Sequence, residues 1–246
     1  MRIYIEDNYE AVSKKAALIV ASQIILKPKS VLGLATGSTP MGMYKELVQM
    51  FKRKEVDFSE VVSFNLDEYY GLPRQHKSSY YNYMMENFFS HVNISPEKLH
   101  IPNGMAENIL RECLDYEEKI RISGGIDLQI LGIGANGHIG FNEPADKLNV
   151  TTHLVYLSEK TIDDNSRFFE NHNEVPKEAL SVGIATIMKA KKIILLACGG
   201  NKAEAIKEMT SGFVNTRVPA SILQTHTDIT LIVDKEAGVM IEEYND

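Results

Sequence analysis

The chain has 246 residues, 44% hydrophobic and 24% charged, with a formal net charge of −7. This is an ordinary globular balance, and the length suffices to bury a core without disulfides or a structural metal. The acidic sum and the lack of any long Lys/Arg block argue against a nucleic-acid partner. The longest apolar run, Ile193 to Cys198, is far too short to cross a bilayer.

In chain order, the start is charged at Arg2 and carries no apolar stretch of the kind that marks a secretion signal. Residues 8–27 read as a helix: Val12, Ala16, Ile19, Val20 and Ile24 recur at helical spacing, and Pro28 stops it. Residues 30–35 form a short apolar strand. The turn Thr36-Gly37-Ser38-Thr39-Pro40 follows, and a helix is expected over 41–54. Small and hydroxyl residues between a strand and a helix suit either a plain N-cap or an anion held on backbone N–H groups.

Residues 61–66 read as the next strand, running into Asn65-Leu66-Asp67-Glu68-Tyr69-Tyr70-Gly71. The two acids there serve either a turn or a general base facing a pocket. A helix is expected over 80–90, and residues 126–133 form a third apolar run. That run ends in Gly132-Ile133-Gly134-Ala135-Asn136-Gly137-His138-Ile139-Gly140-Phe141-Asn142-Glu143-Pro144. Four glycines around a histidine mark either turns or backbone pressed against a ligand. The glycine spacing does not match a dinucleotide fingerprint, so NAD is rejected.

A helix over 158–170 carries Arg167, whose default place is a solvated face. A strand over 192–197 leads to Gly199-Gly200-Asn201-Lys202, where Lys202 is set for an anion. A helix over 202–211 and a strand over 229–233 complete the series. Repeated strand–turn–helix units imply an α/β fold of Rossmann-like type, with a mostly parallel sheet and helices on both faces. A single domain over 1–246 is expected. Ligands in such sheets bind beyond the carboxyl ends of the strands.

Cys113 and Cys198, without CxxC spacing, read as buried thiols in a reducing compartment, and the chain as cytoplasmic. His76, His91, His100, His153, His172 and His226 show no ligand spacing and read as surface or loop residues; no catalytic metal is expected.

These clusters, in this order, resemble the glucosamine-6-phosphate deaminase family. The likeness runs from Leu32-Gly33-Leu34-Ala35-Thr36-Gly37 through Phe64-Asn65-Leu66-Asp67-Glu68-Tyr69 and Gly137-His138-Ile139-Gly140-Phe141-Asn142-Glu143-Pro144. Asn165-Ser166-Arg167-Phe168-Phe169 and Val218-Pro219-Ala220 extend it. It implies conversion of glucosamine 6-phosphate to fructose 6-phosphate and ammonia, with no cofactor. By resemblance, Thr36, Gly37, Ser38, Thr39, Arg167 and Lys202 hold the phosphate. Asp67 moves the C2 proton to C1, and His138, supported by Glu143 and Asn136, assists ring opening.

Asn136 stands where many members carry Asp, which leaves Glu143 as the carboxylate partner of His138. The stretch Thr151-Thr152-His153-Leu154-Val155-Tyr156 lacks the basic residues of allosteric members, so no N-acetylglucosamine 6-phosphate activation is expected. Residues 153–182 are a candidate lid. The partner is a small sugar phosphate, with neither nucleic acid nor membrane, for a monomer or a homo-oligomer. The rivals are a 6-phosphogluconolactonase and a non-catalytic sugar-phosphate sensor.

Overall fold

A computed structural model describes residues 1–241; positions 242–246 of the expected 1–246 unit lie outside the described residues. Seven parallel strands form the main sheet. These are β1 (Arg2–Glu6), β2 (Val31–Leu34), β3 (Val62–Asn65), β5 (Leu99–His100), β6 (Leu128–Gly132), β9 (Lys192–Ala197) and β10 (Ile229–Asp234), in the order β1-β10-β9-β6-β2-β3-β5. A second, antiparallel sheet has the order β4-β8-β7, built from β4 (Asp67–Tyr69), β7 (His153–Tyr156) and β8 (Glu178–Ser181).

The central strands are apolar on both sides, as a sheet covered on both faces requires. The helices α1 (Tyr9–Leu26), α2 (Ser38–Lys52) and α3 (Tyr80–Asn87) cover one face. There Val12, Val20, Tyr44 and Leu47 pack against Leu32, Leu34 and Ile130. The other face carries α4 (Ile109–Ile122), α6 (Ile184–Met188) and α7 (Ala203–Met209), with Tyr116, Ile187 and Ile206 against Phe64, Leu131 and Leu195. The remaining helix, α5 (Glu159–Ser166), lies over a smaller cluster of Tyr69, Phe141, Leu157 and Ile162.

The order of the strands positions the site. From β2 the chain moves outward through β3 to β5, then returns to the opposite side of β2 as β6. The loops leaving β2 and β6 therefore diverge from a switch point, where α/β sheets open a crevice.

Several expectations shift. The helix expected over 41–54 begins at Ser38, so Ser38, Thr39 and Pro40 lie in its first turn. The strand β1, the helices α4 and α6 and the whole second sheet were not anticipated. Cys198 is half-buried, not a core thiol, whereas Cys113 is buried, and both are free. His226 lies in a loop but is buried, its Nε2 2.8 Å from the Ala190 carbonyl, whereas His100 and His153 stand in β5 and β7.

Candidate active site

Four adjacent strands of the main sheet, β9, β6, β2 and β3, end beside one cavity of about 540 Å³. Thr36, Gly37, Ser38 and Thr39 line it from the end of β2, and Asp67 from beyond β3. His138 lines it from beyond β6, Lys202 from beyond β9, and Arg167 from the end of α5. Asn136 and Glu143 stand behind His138, outside the lining.

The turn after β2 is shaped to offer N–H groups. Gly37, the residue before α2, has φ 102° and ψ −179°, a backbone region that side-chain-bearing residues avoid. The carbonyls of the turn are engaged by tyrosine hydroxyls: Tyr44 donates to Ala35 O at 2.6 Å, Tyr83 to Gly37 O at 2.6 Å and Tyr9 to Ser38 O at 2.9 Å. The first-turn N–H groups have no partner within the helix and carry its positive end. Arg167 reaches this turn, its Nη2 3.5 Å from Ser38 Oγ. Burial, together with the charges of Arg167 and Lys160, holds the Lys202 ammonium below its ordinary value, although Asp164 acts in the opposite sense. Two cations and a helix N-terminus facing one space suit an anion such as phosphate.

Asp67 and Glu68 divide the two roles that their sequence left open. Glu68 is turned away from the cavity, and its carboxylate accepts the backbone N–H groups of Tyr69, Tyr80 and Tyr81, each at 2.9 Å. It thereby ties β4 to the start of α3. Burial raises its carboxyl to about 7, against those three bonds and Arg74. Asp67 is 6% exposed, and no donor among the described residues hydrogen-bonds its carboxylate. Burial first, then the charge of Glu68, push it up to about 8.

The loop after β6 folds His138 back on itself. Gly134 N donates to His138 O at 2.9 Å. A Cβ on Gly134 would lie 2.3 Å from ring atoms Cε1 and Nδ1 of His138, so only glycine lets the imidazole occupy this place. Gly137 has φ 83°. At Gly140 a Cβ would stand 3.4 Å from Asp67 Oδ2, so this loop borders the buried acid directly.

His138 Nδ1 is 3.6 Å from Glu143 Oε2, an ion-pair distance longer than a hydrogen bond, and Nδ1 has no other partner among the described residues. Among the described residues, Asn136 makes no hydrogen bond to the imidazole and reaches His138 by way of Glu143 and the backbone. Its Nδ2 donates to Glu143 Oε2 at 2.8 Å, and its Oδ1 accepts the His138 backbone N–H at 3.2 Å. The side chain thus braces the carboxylate and the loop. Thr161 of α5 donates to the other oxygen, Oε1. Burial opposes the charge on Glu143, but the His138 ring, Thr161 and Asn136 outweigh it and bring the carboxyl down to about 2.

Thr161, Asn165 and Phe168 also line the cavity with Arg167. Thr161 was missed, although the spacing 161, 165, 168 is that of one helix face. Among the described residues, no group of three or more His, Cys, Asp or Glu side chains could hold a metal ion, and no helix is long and apolar enough to cross a membrane.

The sequence profile of the family described as glucosamine-6-phosphate isomerases/6-phosphogluconolactonase matches residues 6–232. A glucosamine-6-phosphate deaminase of Alkaliphilus metalliredigens is 69% identical over 242 residues, covering 98% of this chain and 100% of that protein. The corresponding protein of Halothermothrix orenii is 67% identical over 241 residues, with the same coverage. A solved monomeric glucosamine-6-phosphate deaminase superposes with a TM-score of 0.95 at 42% identity, covering 98% of this chain and all of the other. A 6-phosphogluconolactonase from Trypanosoma brucei has a TM-score of 0.79 at 18% identity over 98% of each chain, a likeness of fold alone.

Proposed function

Because the chain belongs to the glucosamine-6-phosphate isomerase/6-phosphogluconolactonase family, we propose that it converts glucosamine 6-phosphate and water to fructose 6-phosphate and ammonia. The observation that carries this reading is the meeting of a buried, hydrogen-bond-free carboxylate, an imidazole and an anion cradle around one cavity.

The chemistry follows from those groups. The phosphate sits on the 36–39 turn between Arg167 and Lys202. His138, backed by Glu143, exchanges a proton with the ring oxygen and opens the pyranose. The Asp67 carboxylate then removes the proton at C2. The C2–H electrons form a C1=C2 double bond while the C1 carbonyl oxygen takes up a proton, giving an enolamine. Asp67 returns its proton to C1, and the nitrogen lone pair forms C2=N. Water adds at C2 and ammonia leaves, which gives the ketose. A base with its carboxyl near 8 is matched to a weak carbon acid far better than an ordinary aspartate.

Asn136 and Glu143 act as supports of His138. The 153–182 segment, which carries Arg167, is read as a lid, and the expected kinetics are hyperbolic without an N-acetylated activator. The reading assigns the enzyme to the cytoplasm, where phosphorylated sugars, too charged to cross a bilayer, are confined. The test is direct. Purified protein is incubated separately with glucosamine 6-phosphate and with 6-phosphogluconolactone, and ammonia and lactone loss are measured. Ammonia release from the amino sugar is expected; rapid lactone hydrolysis without ammonia release would replace this reading.

A further inference from the structure

One contact ties the two ends of the site together. Thr161 and Arg167 sit at opposite ends of α5, six residues apart. Arg167 faces the anion turn, whereas Thr161 bonds Glu143, the carboxylate behind His138. On the reading of the site as a deaminase, we infer that Thr161 is a positioning residue that couples occupation of the phosphate cradle to alignment of the Glu143–His138 pair.

The hydrogen-bond inventory fixes the direction of the coupling. Glu143 is ionised and can only accept, so the Thr161 hydroxyl must donate to it. The Thr161 oxygen in turn accepts from Ser158 Oγ at 3.0 Å, and Ser158 Oγ accepts the Thr161 backbone N–H at 3.2 Å. Every proton in this relay is assigned. Thr161 is only 3% exposed, so its side chain is held in place by its neighbours. Glu143 Oε1 is thus held by a donor on α5, while Oε2 is held by Asn136 and faces Nδ1 of His138. A displacement of α5 rotates the carboxylate and changes the 3.6 Å gap to the imidazole.

The helix is light enough to be moved by its ligand. Of its eight residues only Thr161 and Ile162 are buried. Ile162 is the one apolar anchor within the helix itself, with Leu157 and Phe169 packing beyond its two ends, and an isolated helix of two turns has little stability of its own. A bidentate contact between Arg167 and a phosphate is a strong one. Phosphate binding at one end therefore sets the position of the helix, and Thr161 reports that position to the acid–base pair.

Thr161→Val removes the donor and keeps the shape, whereas Thr161→Ser keeps the donor and removes a methyl group. Ammonia release from glucosamine 6-phosphate by the full chain is expected to fall at least about tenfold in kcat for Thr161→Val, with KM within about twofold, the scale of one lost positioning contact. Thr161→Ser is expected to stay within about threefold of the unmodified chain, a margin that a methyl group alone allows. Arg167→Gln lowers kcat as well as raising KM in the unmodified background. In the Thr161→Val background it raises KM with no further loss in kcat.

Thr161→Val with unchanged kcat in an active enzyme overturns this inference alone. So do equal losses in the Val and Ser variants, which would indicate packing, and independent kcat losses in the double variant. An unmodified chain that releases no ammonia overturns the functional reading and this inference together.

Discussion

Asp67 and Glu68 are chain neighbours with opposite surroundings. Glu68 receives three backbone N–H groups, whereas the Asp67 carboxylate receives no hydrogen bond from the described residues and is left buried. A carboxylate that is deprived of donors is a strong base, and it is also a liability to the fold. In the folded protein its carboxyl is raised to about 8, from an ordinary value of 3.8. Between those values the unfolded chain ionises more readily than the folded one. Stability is therefore lost as pH rises through this window, and below it the penalty is absent. Asp67→Asn is expected to melt at least about 2 °C higher than the unmodified chain at pH 8, the equivalent of roughly 1 kcal/mol in a chain of this size. The difference should shrink towards zero near pH 4, and thermal melts at the two pH values check it. Equal melting temperatures at pH 8 would mean that Asp67 is not the strained group described. Glu143 is the opposite case, a half-buried carboxylate whose charge is satisfied by Asn136 and Thr161. Glu143→Gln is expected to lower kcat by about a hundredfold, the scale of a lost acid–base partner, and steady-state ammonia assays at saturating substrate would read it.

At the scale of elements, two glycines make separable contributions. Gly37 permits the backbone turn from β2 into α2, and Gly134 makes room for the His138 ring. Gly37→Ala forces a residue with a Cβ into a φ of 102°, which costs about 1–3 kcal/mol and displaces the N–H groups of the cradle; KM for the sugar phosphate is expected to rise. Gly134→Ala pushes the imidazole off its place, and a shift of about 1 Å lowers kcat by roughly a hundredfold with a smaller change in KM. Steady-state kinetics on both variants distinguish the two, and the reverse assignment would sink this division.

Periodicity made α1, α2 and the strands β2, β3, β6, β9 and β10 legible, because each carries a strong apolar signal. The helix α4 escaped because Leu110, Leu114 and Ile122 are exposed and blur its buried stripe of Cys113, Tyr116 and Ile120. The second sheet escaped for a different reason. Its strands β4, β7 and β8 are three or four residues long, and β4 follows β3 with only Leu66 between them. The residues that meet at the cavity were legible as strand-end clusters, and resemblance supplied the roles proposed for them. Their partners were not: the contact of Asn136 with Glu143 and the bond from Thr161 cross between loop and helix, and no local spacing encodes them.

For the whole molecule, the arrangement of strands brings chemistry from distant stretches of chain to one place. The turn at 36–39, Asp67, the loop around His138 and Lys202 follow four strands that are neighbours in the sheet, although they span more than half of the sequence. Arg167 and Thr161 arrive by way of the second sheet and α5, whose side chains line the same cavity. Asp67 is the group proposed to carry the proton between C2 and C1, the central step of the reaction. The most direct measurement compares ammonia release by the unmodified chain and by Asp67→Asn under saturating glucosamine 6-phosphate. A fall of at least about a hundredfold in kcat, with KM little changed, is predicted from the usual contribution of a positioned acid–base group. An Asp67→Asn protein that releases ammonia at close to the unmodified rate would contradict it.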